Sequence, residues 1–328
     1  MESAMIASRR RFLRIAASVA GCAALRPDRG LTAPAQHLWR GVALGADCEI
    51  QLYHPDAAAA ERLIAACVAE ARRLESVFSL YRPDSALCRL NRDAILEAPP
   101  ADLLRLLSEC HSVHNLTCGA FDPTVQSLWK LYASHFSRAD ADPAGPGSAR
   151  IAAALAHVGW KKVEFDESRV ALAPGMALTL NGIAQGYITD RVCELLRREG
   201  VGHTMVDMGE LRALDSRMDG SVWRVGLENG KREIKRTVGI ASQAVATSAA
   251  AGTMFDTQRQ FAHLFDPHSG SARPTWFSVS VIAQTATIAD ALSTAFSMLP
   301  AGCIRPIVSR LDGVKVYVSG QNDEIRAL

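Results

Sequence analysis

Two adjacent segments with different hydrophobic periods constrain this chain most. Residues 38–54 alternate apolar and polar side chains, the pattern of one or two half-buried strands. Directly after them, from Ala57 to Phe78, apolar residues recur at helical spacing through Leu63, Ile64, Cys67, Val68, Ala71, Leu74 and Phe78. Asp56 stands where such a helix takes its N-cap. Ala101 to Leu116 repeats the helical period, and a shorter helix is expected from Thr124 to Tyr132, after the break at Phe121-Asp122-Pro123. Residues 138–148 have loop composition. Further on, strands are expected at 162–165, 177–180, 203–207, 222–227, 278–283 and 314–318, and helices at 183–199, 287–298 and 304–310. This order is not a regular βαβ alternation and shows no internal repeat, so it predicts an α+β architecture.

Charge separates the N-terminus from the rest. Six arginines against Glu2 and Asp28 leave residues 1–30 at +4 in a chain of +2, so the remainder stands at −2 and no nucleic-acid footprint is expected. With 48% hydrophobic and 21% charged residues the chain has enough apolar side chains for a core, which excludes a disordered class. No run of 18 apolar residues is present to span a membrane. Ser8-Arg9-Arg10-Arg11-Phe12-Leu13-Arg14, followed by the small apolar stretch Ile15 to Ala24, resembles the twin-arginine export signal. Residues 1–30 are therefore read as an address, and a periplasmic location is expected. Val19-Ala20-Gly21-Cys22 resembles a lipobox, which would make a lipid anchor at Cys22 the one link to a membrane. The alternative is cleavage near Ala33-Pro34-Ala35.

The eight cysteines form no C-x-x-C pair, which excludes zinc-ribbon and thioredoxin-like motifs. Cys67, Cys110 and Cys193 fall in apolar periodic stretches, as buried thiols do, and no bridge is expected. Walker-type phosphate loops, H-E-x-x-H and G-x-S-x-G are absent. Four other segments stand out. They are Phe78 to Ser85 with Asn91, then Gly119 to Val125, then Leu178 to Tyr187, and last a run from Ala246 through His263 and Gly270 to Ala295.

Read alone, each segment leaves alternatives open. Asp290 and Thr294 share a helix face at i and i+4, where a carboxylate and a hydroxyl can hold Mg²⁺. An Asp near a helix start more often caps it. The glycines flanking Ala184-Gln185 suit either a backbone approaching a ligand or a tight strand-to-helix turn. His263 is of the type that serves as a general base, and equally of the type that donates a structural hydrogen bond.

In this order the segments resemble the ApbE family of FAD:protein FMN transferases over roughly residues 38–320. The matching pieces are Tyr81-Arg-Pro-Asp-Ser85, Gly119-Ala-Phe-Asp-Pro-Thr-Val125, His263-x-x-Asp266-Pro267-x-x-Gly270 and Ala289-Asp-Ala-x-x-Thr294. The resemblance implies an ApbE-like fold with mixed or antiparallel sheets flanked by helices. It implies a reaction in which FAD is the substrate, FMN passes to a Thr hydroxyl of an acceptor protein, AMP leaves, and Mg²⁺ is the cofactor. It implies Asp290, Thr294 and the Gly182 carbonyl as metal ligands, and His263 as the base or its helper. Tyr81, Ala120, Phe121, Asp122 and Leu264 are implied at the FAD site.

Two segments depart from the common pattern: one is Ala246-Thr-Ser-Ala249-Ala-Ala-Gly252, where many members read Ala-Thr-Ser-Gly followed by an acidic residue and Tyr, and the other holds Thr179 and Gln185. Thr179 stands where many members have Asp, and Gln185 where many have Lys, both at the expected FAD contact. The segment Thr179 to Tyr187 together with Met208-Gly-Glu210-Leu-Arg-Ala resembles the NosX branch, associated with nitrous oxide reductase maturation. The acceptor implied there is the flavin-binding region of NosR. The departures keep two other readings open, an FAD-binding carrier without transfer activity and an FAD pyrophosphatase that uses water in place of the Thr hydroxyl.

Overall fold

The computed structural model describes residues 13–15, 34–43, 45–229, 233–320 and 324–328. The export-signal stretch outside Leu13–Ile15, the lipobox-like Cys22 and the cleavage region up to residue 33 lie outside the described residues. Strand β1 (Leu13–Ile15) precedes a hairpin, β2 (Ala35–Ala43) and β3 (Ala46–His54), which pairs Trp39 with Ile50. Helix α1 (Ala57–Phe78) follows at once, its first turn capped by the Asp56 carboxylate, which accepts from the amides of Ala58 and Ala59. Next come α2 (Ala86–Asp93), β4 (Ile95–Glu97), α3 (Ala101–Leu116), α4 (Gln126–Phe136), α5 (Ser148–Leu155), β5 (Glu164–Phe165) and β6 (Arg169–Ala171). The second half runs α6 (Ala184–Arg198), β7 (Thr204–Asp207), β8 (Leu211–Leu214), β9 (Trp223–Glu228), β10 (Ile234–Ile240), β11 (Ala244–Ala249), β12 (Ser278–Ala283), α7 (Ala286–Phe296), α8 (Ala301–Val308), β13 (Lys315–Ser319) and β14 (Ile325–Ala327).

The central sheet has eight strands in the order β14-β13-β12-β11-β8-β7-β3-β2, and every pairing in it is antiparallel. Strand alternation divides its side chains between two faces. Ile50, Val206, Ala246, Val279 and Val281 turn toward α1, α3, α6 and α7, where Leu74, Leu103, Leu196 and Leu292 are buried with them. Met205, Leu211, Val245 and Ile282 turn the other way, onto Trp223, Val225, Leu227 and Val238 of the three-stranded sheet β1-β9-β10. A third cluster, around Leu128, Tyr132, Phe261 and Phe265, ties α4 and α5 to the segment before β12. The architecture is the expected α+β one, with antiparallel sheets covered by helices. Among the described residues no helix is long and apolar enough to cross a membrane.

One expected strand is absent. Residues 177–180 are extended, but their ladder partner is a side chain. The Asn91 amide donates to the Leu178 carbonyl at 2.8 Å and accepts from the Leu178 N–H at 2.7 Å, while the Thr179 N–H donates to the Pro123 carbonyl at 2.8 Å. Conversely, β10 and β11 were not expected. Residues 234–237 of β10 are exposed, so no apolar alternation betrays that strand.

Candidate active site

Loop segments and two helices converge at the ends of the central strands β3, β7 and β11. The Gly119–Val125 loop leaves α3 through Gly119, whose φ of +85° favours glycine. Asp122 then fixes the loop. One carboxylate oxygen accepts from the Thr124 N–H at 2.8 Å and the Thr124 hydroxyl at 2.5 Å, and the other accepts from the Trp160 N–H at 3.1 Å. The His114 ring donates from Nδ1 to the Phe121 carbonyl at 2.9 Å. With Asp122 so engaged, Ala120 and Phe121 are set against the cleft.

The Thr179–Gln185 segment enters α6 opposite this loop. Gly182 lies against α7: a Cβ there would come within 2.8 Å of the Thr294 hydroxyl oxygen. The Thr294 hydroxyl is 3.4 Å from the Gly182 carbonyl. Asp290, one turn earlier on α7 and 3% exposed, accepts the Gly186 N–H at 3.1 Å. Gln185 is buried beside Gly209, whose φ is +106° and whose Cβ would lie 2.5 Å from the Gln185 amide nitrogen. Glu210 accepts the Thr247 N–H at 3.3 Å, joining the β7–β8 turn to β11.

His263 is held by its own backbone partner. Both its N–H and its ring Nδ1 lie 3.1 Å from the Thr253 carbonyl. A carbonyl only accepts, so the ring proton sits on Nδ1 and the basic lone pair on Nε2. The following turn is built by Asp266, which accepts from the His268 N–H at 3.0 Å and the Ser269 hydroxyl at 2.5 Å. Gly270 closes that turn at φ +71°.

These segments enclose a cleft of about 1350 Å³, counting the part open to solvent. The cleft brings together His263, Ala120, Phe121, Asp122, Thr179, Gln185, Leu264, Gly182, Asp290 and Thr294. Tyr81 does not line it. Its side chain is 64% exposed on the turn before α2, where the motif's Ser85 caps the helix by accepting the Cys88 N–H at 3.0 Å. Asp47, Asp207 and Trp129 also line the cleft and were not singled out from the sequence; Asp207 directly precedes the Met208-Gly-Glu210 segment without being part of it.

The cleft wall carries five carboxylates, Asp47, Asp122, Asp207, Glu210 and Asp290, and no Lys or Arg among the described residues. Among the described residues no group of three or more His, Cys, Asp or Glu gathers as a metal centre. The donors that do gather are a carbonyl, a hydroxyl and one carboxylate, from Gly182, Thr294 and Asp290. An all-oxygen set of this kind suits a hard cation such as Mg²⁺, which keeps its remaining positions for water or phosphate.

Residues 44–318 match the ApbE family. The chain is 28% identical over 236 residues to the FAD:protein FMN transferase of Haemophilus influenzae, covering 67% of this chain and 68% of that one. It is 26% identical over 309 residues to the FAD:protein FMN transferase of Salmonella typhimurium, covering 89% and 86% respectively. The apo structure of the Pseudomonas stutzeri flavinyl transferase ApbE superposes with a TM-score of 0.76 at 27% identity, over 91% of this chain and 96% of that one.

Proposed function

The chain belongs to the ApbE family, and from that premise we propose that it is an FAD:protein FMN transferase working in the cleft around His263 and Asp290. The acceptor's Thr hydroxyl oxygen attacks the phosphorus on the FMN side of the FAD pyrophosphate. The bond from that phosphorus to the AMP phosphate breaks, AMP leaves, and FMN remains on the Thr as a phosphodiester. His263 takes the hydroxyl proton at Nε2, the nitrogen that its Thr253 contact leaves basic.

The observation that carries this reading is the charge of the cleft. A pyrophosphate must enter a wall of five carboxylates without a Lys or Arg, so its charge has to be met by a cation. Gly182, Asp290 and Thr294 are the residues that would hold Mg²⁺. Bound there, Mg²⁺ would neutralise the pyrophosphate and polarise its phosphoryl oxygens. Ala120, Phe121 and Leu264 form the apolar part of the wall against which a flavin ring packs. Thr179 and Gln185 stand where many members have an acid and a base, so these two positions taken together leave the charge unchanged.

The protein acts in the periplasm, reached by the twin-arginine route, with the NosR flavin-binding region as acceptor, in support of nitrous oxide reductase maturation. The twin-arginine pattern at Ser8–Arg14 and the branch-like segments at 179–187 and 208–213 support this. A second reading, an FAD carrier, draws on the same Thr179 and Gln185, both of which face the cleft.

The test incubates the purified protein with FAD, MgCl₂ and a soluble NosR flavin-binding domain, and reads covalent flavin fluorescence on a denaturing gel. The expected band requires Mg²⁺ and disappears when the acceptor Thr is replaced by Ala. Bound FAD without a band, under conditions where another transferase labels the acceptor, would support the carrier reading. FMN and AMP released equally fast without acceptor would support hydrolysis.

A further inference from the structure

Beside the cation seat lies a line of hydroxyls with no part in the chemistry described so far. Ser248, on β11, has its Oγ 3.2 Å from the Thr294 hydroxyl oxygen and 2.8 Å from the Ser293 hydroxyl oxygen. Ser293 is fully buried, and its Oγ lies 2.9 Å from the backbone carbonyl of Asp290. Each hydroxyl has one proton to give, and a carbonyl can only accept. The terminal carbonyl therefore sets the direction of the whole line. Ser293 donates to Asp290 O, so its oxygen receives the Ser248 proton. The Ser248 oxygen in turn receives the proton of Thr294.

Thr294 has one other acceptor, the Gly182 carbonyl at 3.4 Å, the longer of its two contacts. With its proton turned to Ser248, Thr294 presents lone pairs to the side where Gly182 presents its carbonyl. Two acceptor oxygens 3.4 Å apart with no proton between them repel each other, and a cation relieves that repulsion.

We propose that Ser248 is a positioning residue that draws the Thr294 proton away from the Gly182 carbonyl, through Ser293 to the carbonyl of Asp290, and so orients Thr294 to bind a divalent cation. This rests on the reading of Gly182, Asp290 and Thr294 as the cation seat. Without Ser248 the Thr294 proton is left only the Gly182 carbonyl, and it then occupies the place of the cation. Without Ser293 the Ser248 proton loses its outlet and turns toward Thr294, with the same result.

The test measures Mn²⁺ binding to the full-length protein by calorimetry and by the electron paramagnetic resonance signal of free Mn²⁺, with no FAD present. Ser248→Ala is expected to weaken Mn²⁺ about tenfold, as loss of one orienting hydrogen bond would. Ser293→Ala is expected to act in the same direction, and the double variant to be no weaker than Ser248→Ala alone. Melting in EDTA should be nearly unchanged in Ser248→Ala, which a purely structural role would not allow. Wild-type affinity in Ser248→Ala, or losses that multiply in the double variant, would overturn the inference while leaving the cation seat standing. If the wild type shows no saturable Mn²⁺ binding that Asp290→Ala removes, the seat itself fails and the inference with it.

Discussion

Asp190 and Asp290 each hold the helix that carries the other. Asp190, on α6, accepts the N–H groups of Ala286 and Thr287 at the start of α7, both at 2.9 Å, and the Thr287 hydroxyl at 2.5 Å. Asp290, on α7, accepts the Gly186 N–H in the first turn of α6 at 3.1 Å. Each carboxylate thus meets amide donors that the first turn of a helix leaves without intrahelical acceptors. Arg212 pairs with Asp190 from β8. This reciprocal clasp sets Asp290 and Thr294 opposite Gly182.

Asp190→Asn should therefore cost about 3 kcal/mol, because it leaves the largely buried Arg212 guanidinium without its charge partner. Urea denaturation monitored by tryptophan fluorescence would show it. Mn²⁺ affinity should fall too, although Asp190 is no cation ligand here. A variant as stable as the wild type would place the work of holding α7 elsewhere.

Gly186→Ala should be worse tolerated than its size suggests. A Cβ at Gly186 would stand 2.2 Å from the Ala286 carbonyl oxygen and 2.8 Å from the Thr287 Cα. These are backbone atoms and cannot swing aside, so α6 and α7 must part, at a cost at or above the roughly 1–3 kcal/mol of ordinary overpacking. Gly302→Ala, in α8 with open space around it, is the control and should stabilise by about 0.5 kcal/mol.

Much of the site could be read in the chain, and the reason differs from piece to piece. The Ala101–Leu116 helix was found at its full extent because its apolar period is unbroken. His263, Asp290 and Thr294 were singled out by an ordered set of motifs, and the fold brings them to one cleft. The clasp was not found, because one Asp in a helical pattern looks like any other, and the need for glycine at 186 exists only once α7 lies against it. Residues 177–180 misled for a related reason: the alternation signals extended backbone, but not that a single Asn91 side chain satisfies it.

A second cluster away from the cleft controls acid stability. Asp102 of α3 accepts from the Tyr187 hydroxyl at 2.7 Å and pairs with Arg73 at 2.7 Å. Burial pushes its carboxyl pKa up, but the Tyr187 and Arg73 contacts pull it down further, to a net position below the ordinary carboxylate value. A folded-state pKa held below the unfolded one gives stability that is complete above about pH 4 and lost as pH falls through the folded value. Asp102→Ala should cost about 2 kcal/mol at pH 7 by urea denaturation. It should also lose less stability than the wild type between about pH 4 and pH 2.

The thiols should separate by burial. Desolvation pushes the Cys67 pKa up to about 12, and burial raises those of Cys110 and Cys193 well above the ordinary thiol value. Cys118 and Cys303 are exposed. Iodoacetamide on the native protein at pH 7.5, followed by peptide mass spectrometry, should label Cys118 and Cys303 within minutes and leave Cys67, Cys110 and Cys193 unmodified until urea is added.

The most direct measurement is the intact mass of the acceptor domain after incubation with FAD and MgCl₂, with the wild-type protein and with Asp290→Ala side by side. The wild type should add one FMN less one water to the acceptor, with AMP released in equal amount, and Asp290→Ala should add none while remaining folded. Equal addition by both proteins would contradict the assignment of Asp290 to the reaction. No addition by the wild type, with FAD bound and the acceptor labelled by another transferase, would contradict transfer itself.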